Sequence, residues 1–319
     1  MRVIGATVAG PILVTGAAGF AGRHLVDLLA GVTGDLVAWY RPGGTPPGRD
    51  SIAKWTAVDL LNRQAVFEAI ARLRPAAVYH CAGAAHAGRA WDRTESTFAI
   101  NVRGTHHLLE AMAQAGVQAR ALIPSSAMIY RPANKALAED DALVPTGPYG
   151  LSKLAQELLA VRAMSDSLEV TIARAFNHIG PGQDPRFAAS GFARRIADIE
   201  AGRWAPEITV GNLDARRDLT DARDTARAYR VILHTGRPGR AYNVCSGRAV
   251  VIGDLLEMLL ARARVPIRIR VDPARFRPDD VPLLVGDPSR IRDELGWTPL
   301  VPLDQTLDDL LEYWRAETR

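Results

Sequence analysis

Tyr149-Gly150-Leu151-Ser152-Lys153 places a phenol and an ammonium four residues apart, on one face of any helix that spans them. A tyrosine is a weak acid, with an ordinary pKa near ~10. An adjacent ammonium favours the phenolate, so the spacing predicts a Tyr149 whose pKa is lowered by Lys153. Such a group exchanges a proton with a substrate oxygen while hydride moves at the neighbouring carbon. Ser125-Ser126 closes an apolar run upstream, and its hydroxyl is placed to steady that oxygen.

Hydride chemistry needs a carrier, and the start of the chain offers a cradle for one. Thr15-Gly16-Ala17-Ala18-Gly19-Phe20-Ala21-Gly22 follows the strand-like Ile12–Thr15 and leads into a helical pattern over Ala21–Ala30. Glycines at 16, 19 and 22 let backbone N–H groups approach a pyrophosphate, with the positive end of the helix dipole behind them. Phe20 and Ala21 belong to the same turn. The second predicted strand, Leu36–Tyr40, ends in Arg41 and carries no acid. A carboxylate there would read the ribose hydroxyls of NAD, whereas a guanidinium grips a 2′-phosphate. NADPH/NADP+ is therefore the expected cofactor, with NADH as the alternative. Asp59 and Leu60 are read as reaching the adenine edge, with helix capping by Asp59 as the plainer role.

These residues must be held by alternating strands and helices. Strands are predicted at Ile12–Thr15, Leu36–Tyr40, Ala77–Cys81, Ala121–Ser125 and Val170–Ala175. Helices are predicted at Ala21–Ala30, Arg63–Arg74, Thr97–Ala115 and Tyr149–Met164. The alternation implies an α/β fold, a Rossmann-like doubly wound parallel sheet with a smaller C-terminal substrate-binding domain. The expected division is 1–175 for the cofactor, with a later return over roughly 218–246, and 176–319 mainly for the substrate. Helices at Gly191–Ala201, Ala222–His234, Ile252–Arg262 and Leu303–Arg315 populate that second half.

Bulk properties narrow the class. The chain has 319 residues, 48% hydrophobic and 23% charged, with 39 Lys and Arg against 35 Asp and Glu. The excess of +4 is spread thinly, without a basic block interleaved with aromatics, so nucleic acid is not the expected partner. No apolar run is long enough for a membrane span, and the N-terminus lacks the organisation of a signal peptide. A cytoplasmic setting is expected. The two cysteines, Cys81 and Cys245, sit in strand-like apolar runs and are read as buried, inert thiols, with no metal site.

The motifs T-G-A-A-G-F-A-G, H-C-A-G-A, I-N-V-R-G-T, S-S-A-M-I-Y and Y-G-L-S-K occur in that order and resemble the extended short-chain dehydrogenase/reductases, the NAD-dependent epimerase/dehydratase family. The resemblance covers essentially the whole chain. It implies Ser126, Tyr149 and Lys153 as catalytic residues, with Tyr149 and Lys153 also touching the cofactor. Ala82, Gly83 and Asn101 are implied on the cofactor side, Asn101 alternatively as a helix-interior residue capping a bulge. A homodimer packed through the Thr97–Ala115 and Tyr149–Met164 helices is implied as well.

Three later segments resemble the GDP-mannose 4,6-dehydratases and GDP-4-keto-6-deoxy-mannose reductases, most of all the reductases. They are Arg174 to Gln183, Val210 to Asp218 and Arg277 to Asp287. The likeness implies Asn177, Val210, Arg217, Arg277 and Asp280 as contacts to a GDP-sugar or other nucleotide sugar, alongside Ser126. Two guanidiniums would neutralise its pyrophosphate and one carboxylate would read a diol. Dehydratases of this kind carry an acid two residues after the catalytic hydroxyl, where this chain has Met128, and a thioether transfers no proton. The expected reaction is NADPH-dependent reduction of a 4-keto-6-deoxy sugar, GDP-4-keto-6-deoxy-D-mannose to GDP-D-rhamnose. The alternatives are a nucleotide-sugar 4-epimerase, then a 4,6-dehydratase, and most distantly a non-catalytic dinucleotide sensor.

Overall fold

The computed structural model describes residues 10–30, 35–46, 53–85, 90–276 and 281–319. Its first half is built by local sequence. β1 (Ile12–Thr15) is fully buried, as an interior parallel strand must be. It runs into α1 (Phe20–Ala30), which turns Leu25, Val26 and Leu29 onto the sheet. β2 (Leu36–Tyr40) and β3 (Lys54–Ala57) extend the sheet to one side. α2 (Arg63–Leu73) starts on an Asn62 side chain that accepts from Ala65 N, and ends at Arg74, whose φ of 47° stops the helix. β4 (Ala77–His80) follows.

The predicted helix over Thr97–Ala115 is not continuous. It is α3 (Thr94–Phe98), a π-helical turn over Ala99–Arg103, and α4 (Gly104–Gln114). The wide turn carries Asn101 inward, where its side chain bonds two other segments, and those contacts offset the poorer local geometry. β5 (Ala119–Ser126), α5 (Pro148–Arg162) and β6 (Leu168–Ala175) complete the alternation.

The second half begins with β7 (Asn177–Ile179), α6 (Ala188–Glu200), β8 (Glu207–Val210) and β9 (Arg216–Asp221). α7 (Ala222–Thr235) and β10 (Ala241–Val244) then pack back on the large sheet. β11 (Ala249–Val251), α8 (Ile252–Leu260), β12 (Arg268–Val271), β13 (Leu283–Leu284), α9 (Ser289–Leu295) and α10 (Leu303–Glu317) finish the chain.

Seven strands in the order β10-β6-β5-β4-β1-β2-β3 form one wholly parallel sheet. This is the α/β doubly wound sheet that the strand–helix alternation predicts. The order reverses between β1 and β4, and ligands of such sheets bind outside the strand ends at that reversal. β7, β9, β11 and β13 make a second small sheet, and β8 pairs with β12. Buried apolar side chains cover both faces of the large sheet, and a separate cluster from α6, α8 and α10 sits under the small ones. No helix among the described residues is long and apolar enough to cross a membrane.

Candidate active site

A cleft of about 1460 Å³ opens at the sheet reversal, bounded on its other side by α6, β8 and β9. That exceeds the ~300–1,000 Å³ of an ordinary small-ligand pocket and suits two ligands side by side.

The glycine turn forms one end. Gly19, Phe20, Ala21 and Gly22 line the cleft at the N-terminus of α1, whose first turn carries no acid to offset the helix dipole. Gly16 and Gly22 do a different job from Gly19. A Cβ at Gly16, where φ is +64°, would stand 2.5 Å from the Ala82 backbone, and one at Gly22 would stand 2.2 Å from Gly16 O. These two glycines let the ends of β1 and β4 and the start of α1 touch, while Gly19 leaves the mouth clear. The backbone is thus shaped to receive a pyrophosphate, and residues 16–22 would hold that part of a dinucleotide. Ala82 and Gly83 line the same wall.

Arg41, Asp59 and Leu60 lie apart from the cleft. Arg41 is exposed just past the end of β2. Asp59 accepts from Leu61 N at 2.9 Å, a local turn contact, and Leu60 is buried with its carbonyl bonded to His107 Nδ1 at 2.8 Å. Leu60 is therefore part of the packing under α4 in this structure.

Ser126, Tyr149 and Lys153 meet at the centre. Ser126 ends β5 and accepts from Met128 N at 3.2 Å, which caps the short turn Ala127–Ile129. Tyr149 opens α5, and its phenol faces the Ser126 hydroxyl closely enough for that hydroxyl to favour the phenolate. One turn on, Lys153 is buried and donates to Pro124 O and to Gln156 Oε1, each at 2.5 Å. Pro124 is available because β5 pairs with β4 only through Leu122.

The electrostatics differ from the expectation. Burial holds the Tyr149 phenol above its ordinary value, opposed by the Ser126 hydroxyl, and Lys153 is not among the groups acting on it. Lys153 is itself pushed down to about 8 by burial, with Cys81 and Glu157 opposing. Lys153 is tied to Pro124 and Gln156, so the lowered phenol pKa read from the four-residue spacing is not what this structure holds. A phenol that stays protonated at neutral pH suits a proton donor.

Asn101 is buried and bonds Ala84 N at 2.8 Å and Ser152 Oγ at 2.9 Å, while Ser152 donates to Tyr149 O at 2.7 Å. It ties the loop after β4 to the start of α5. Cys245 is buried, but Cys81 is only half-buried and lines the cleft, its thiol pushed up to about 12 by burial.

Asn177, Val210 and Arg217 all line the far half of the cleft, Arg217 donating to Val281 O at 2.6 Å. Arg277 and Asp280 lie outside the described residues. Sequence reading overlooked other cleft walls: Trp91, Gln183, Phe187, Arg195, Trp204 and Arg275. Trp91 is 61% exposed and Arg195 stacks on Trp204 at 4.0 Å. They come from elements far apart in sequence, and no motif spacing announces them. Glu207 is the only acid among the described lining residues, and it pairs with Arg270 at 3.1 Å. Met128 lines the cleft where a dehydratase would need its acid.

The family model for GDP-mannose 4,6 dehydratase matches residues 13–310. The chain belongs to this family. It is 35% identical to the GDP-6-deoxy-D-mannose reductase of Pseudomonas aeruginosa over 97% of this chain and 98% of that one. The structure of RMD from Pseudomonas aeruginosa complexed with NADPH superposes with a TM-score of 0.84 at 32% identity, covering 97% of this chain and all (100%) of that one. A Bacillus subtilis UDP-glucose 4-epimerase is 29% identical over 96% of each chain. Reductases, dehydratases and epimerases thus share this scaffold, and the residues around Ser126 and Tyr149 must decide among them.

Proposed function

We propose that this family member is an NADPH-dependent reductase of a 4-keto-6-deoxy nucleotide sugar, converting GDP-4-keto-6-deoxy-D-mannose to GDP-D-rhamnose. The carrying observation is a protonated Tyr149 phenol facing the Ser126 hydroxyl, with Met128 rather than a carboxylate two residues after Ser126 among the described residues that line the cleft. That set can finish a carbonyl reduction and lacks the acid for eliminating water. The similarity to the Pseudomonas reductase and to the NADPH complex supports the substrate and the cofactor.

In this reading, residues 1–175 with 218–246 hold the cofactor and the rest of 176–319 holds the nucleotide sugar. Gly16, Gly19, Phe20, Ala21 and Gly22 seat the pyrophosphate, Arg41 meets the 2′-phosphate, and Asn177, Val210 and Arg217 face the nucleotide sugar, with Arg277 and Asp280 assigned by resemblance. The bound dinucleotide supplies the hydride to C4. Ser126 and Tyr149 would hold the C4 oxygen, and Tyr149 O–H would give it a proton as negative charge develops there. Lys153 keeps one donor beyond its bonds to Pro124 and Gln156, enough to fix a ribose hydroxyl. Two unpaired thiols fit a reducing, cytoplasmic setting.

The purified protein, given GDP-4-keto-6-deoxy-mannose, oxidises NADPH stoichiometrically and faster than NADH, followed by loss of nicotinamide absorbance. A rearranged sugar without net oxidation would make it a 4-epimerase instead.

Assembly as a homodimer belongs to the same proposal. α5 exposes Leu151, Leu158 and Val161, 48%, 61% and 37% accessible, on one stripe that a second copy of the helix would cover. Sedimentation equilibrium shows a dimer, and Leu158→Arg gives a monomer. A wild-type monomer would remove this part.

A further inference from the structure

Behind Lys153 lies a chain of buried polar side chains that the reaction itself does not call for. Gln156, Thr105 and Thr15 are 0% exposed and His80 is 1% exposed. Gln156 Oε1 accepts from Lys153 Nζ at 2.5 Å, and Gln156 Nε2 donates to Thr105 Oγ1 at 2.8 Å. Thr105 Oγ1 lies 2.6 Å from Asn101 O and 2.8 Å from His80 Nε2. His80 Nδ1 lies 2.8 Å from Thr15 Oγ1, which accepts from Ala82 N at 3.3 Å.

Hydrogen counting fixes every direction. A threonine hydroxyl has one proton. Thr105 gives its proton to the Asn101 carbonyl, so it must receive from both Gln156 and His80. His80 is then protonated at Nε2 and bare at Nδ1, and Thr15 donates to it. Burial keeps the imidazole neutral, its pKa pushed down to about 3, with the Lys153 charge adding to the effect. A flipped Gln156 would set its NH2 against the ammonium and its oxygen against a Thr105 lone pair. Only one orientation satisfies all partners, and in a dry interior the wrong one is costly.

We propose that Gln156 is a positioning residue for Lys153, locked by Thr105, His80 and Thr15 so that the lysine is held in register with the turn that seats the cofactor pyrophosphate. Thr15 and Ala82 sit on the two sides of the Gly16 contact, so the chain runs from the cradle to the catalytic helix without touching a reacting atom. Its kinetic consequence rests on the reductase reading above, whereas its electrostatic consequence does not.

The titratable groups in electrostatic contact with Lys153 are Glu157 on α5 and Cys81 and His80 at and just past the end of β4, while Tyr229 on α7 lies beside Tyr149 and Cys81. Against that fixed background, Gln156→Leu removes an acceptor that favours the ammonium, and Gln156→Glu adds a negative charge. The chain contains three lysines, Lys54, Lys135 and Lys153, so lysine side chains labelled for NMR give three signals, and Lys153→Arg assigns the one that matters. The Lys153 titration midpoint moves down in Gln156→Leu and up in Gln156→Glu, each by about half a pH unit or more. With substrate, Gln156→Leu loses roughly tenfold in kcat with KM nearly unchanged, and Gln156→Glu, which has no donor for Thr105, also loses rate although its Lys153 midpoint moves the other way. Coincident Lys153 titrations in all three proteins would overturn the proposal. If Gln156→Leu fails to fold, Gln156→Glu against wild type decides alone, an unmoved midpoint overturning it. If wild type reduces no keto sugar while the midpoints still move, the reductase reading falls and the positioning of Lys153 stands.

Discussion

Tyr149→Phe lowers kcat for keto reduction by about 10²–10⁴-fold and leaves NADPH binding close to wild type. The ring keeps its place at the start of α5, whose first turn is anchored by the Ser152–Asn101 bonds rather than by the phenol. Only the proton donor beside Ser126 is lost. The pH dependence sharpens the test. Reduction uses the protonated phenol, so the wild-type rate is full at low pH and falls as pH rises through the Tyr149 pKa, which burial holds above the ordinary phenol value. The residual rate of the Phe variant has no such alkaline limb. Initial rates across pH, with NADPH affinity from nicotinamide fluorescence, give both readings. Undiminished turnover would remove Tyr149 from the mechanism.

What the sequence reveals about this site follows the range of the interactions involved. The cradle is legible because β1, the glycine turn and α1 are contiguous, and their geometry is dictated by residues within a few positions. Tyr149 and Lys153 are legible as a helical pair for the same reason. Their electrostatics are not, because the lysine is captured by a carbonyl of β5 and by Gln156, which spacing alone does not rank against the phenol. The break at Ala99–Arg103 escapes a periodicity argument because apolar residues recur through it, and its cause is the tertiary anchoring of Asn101. Past residue 176, strands of two to four residues such as β7, β8 and β13 are too short to show alternation. The seven-residue α9 buries only Ile291 fully and offers no stripe to detect. Asn177, Val210 and Arg217 were found by resemblance. The neighbouring Trp204 and Arg195 were not, since their placement depends on how α6 packs beside β8.

The largest stability effect falls on Glu157. Its carboxylate, 5% exposed, faces Arg174, 6% exposed, with contacts of 2.6 Å to NH2 and 3.3 Å to Nε. Arg174 also donates to Glu139 O at 2.7 Å and to the Tyr130 hydroxyl at 3.0 Å, and Tyr130 donates in turn to Asn243 Oδ1 at 2.7 Å. The pair joins α5 to β6, and through Tyr130 and Asn243 to β10. In Glu157→Ala the guanidinium keeps its neutral acceptors but loses the one carboxylate within ion-pair distance among the described residues. Glu139 is a poor substitute, because burial pushes its own carboxyl up and its Oε1 already accepts from Asn243 N at 2.7 Å. Stranding one member of a buried pair costs about 3–5 kcal/mol, whereas replacing both by apolar groups of similar size is often neutral. Urea unfolding of Glu157→Ala therefore shows a loss in that range, and Glu157→Leu combined with Arg174→Met recovers much of it. A single-variant loss below about 1 kcal/mol, the size of an exposed pair, would mean that water reaches Arg174 and that the cluster is not dry. Glu157 also lies one turn beyond Lys153 and favours its charged form, so the same variant tests whether the anchor of α5 and the catalytic lysine are electrostatically linked.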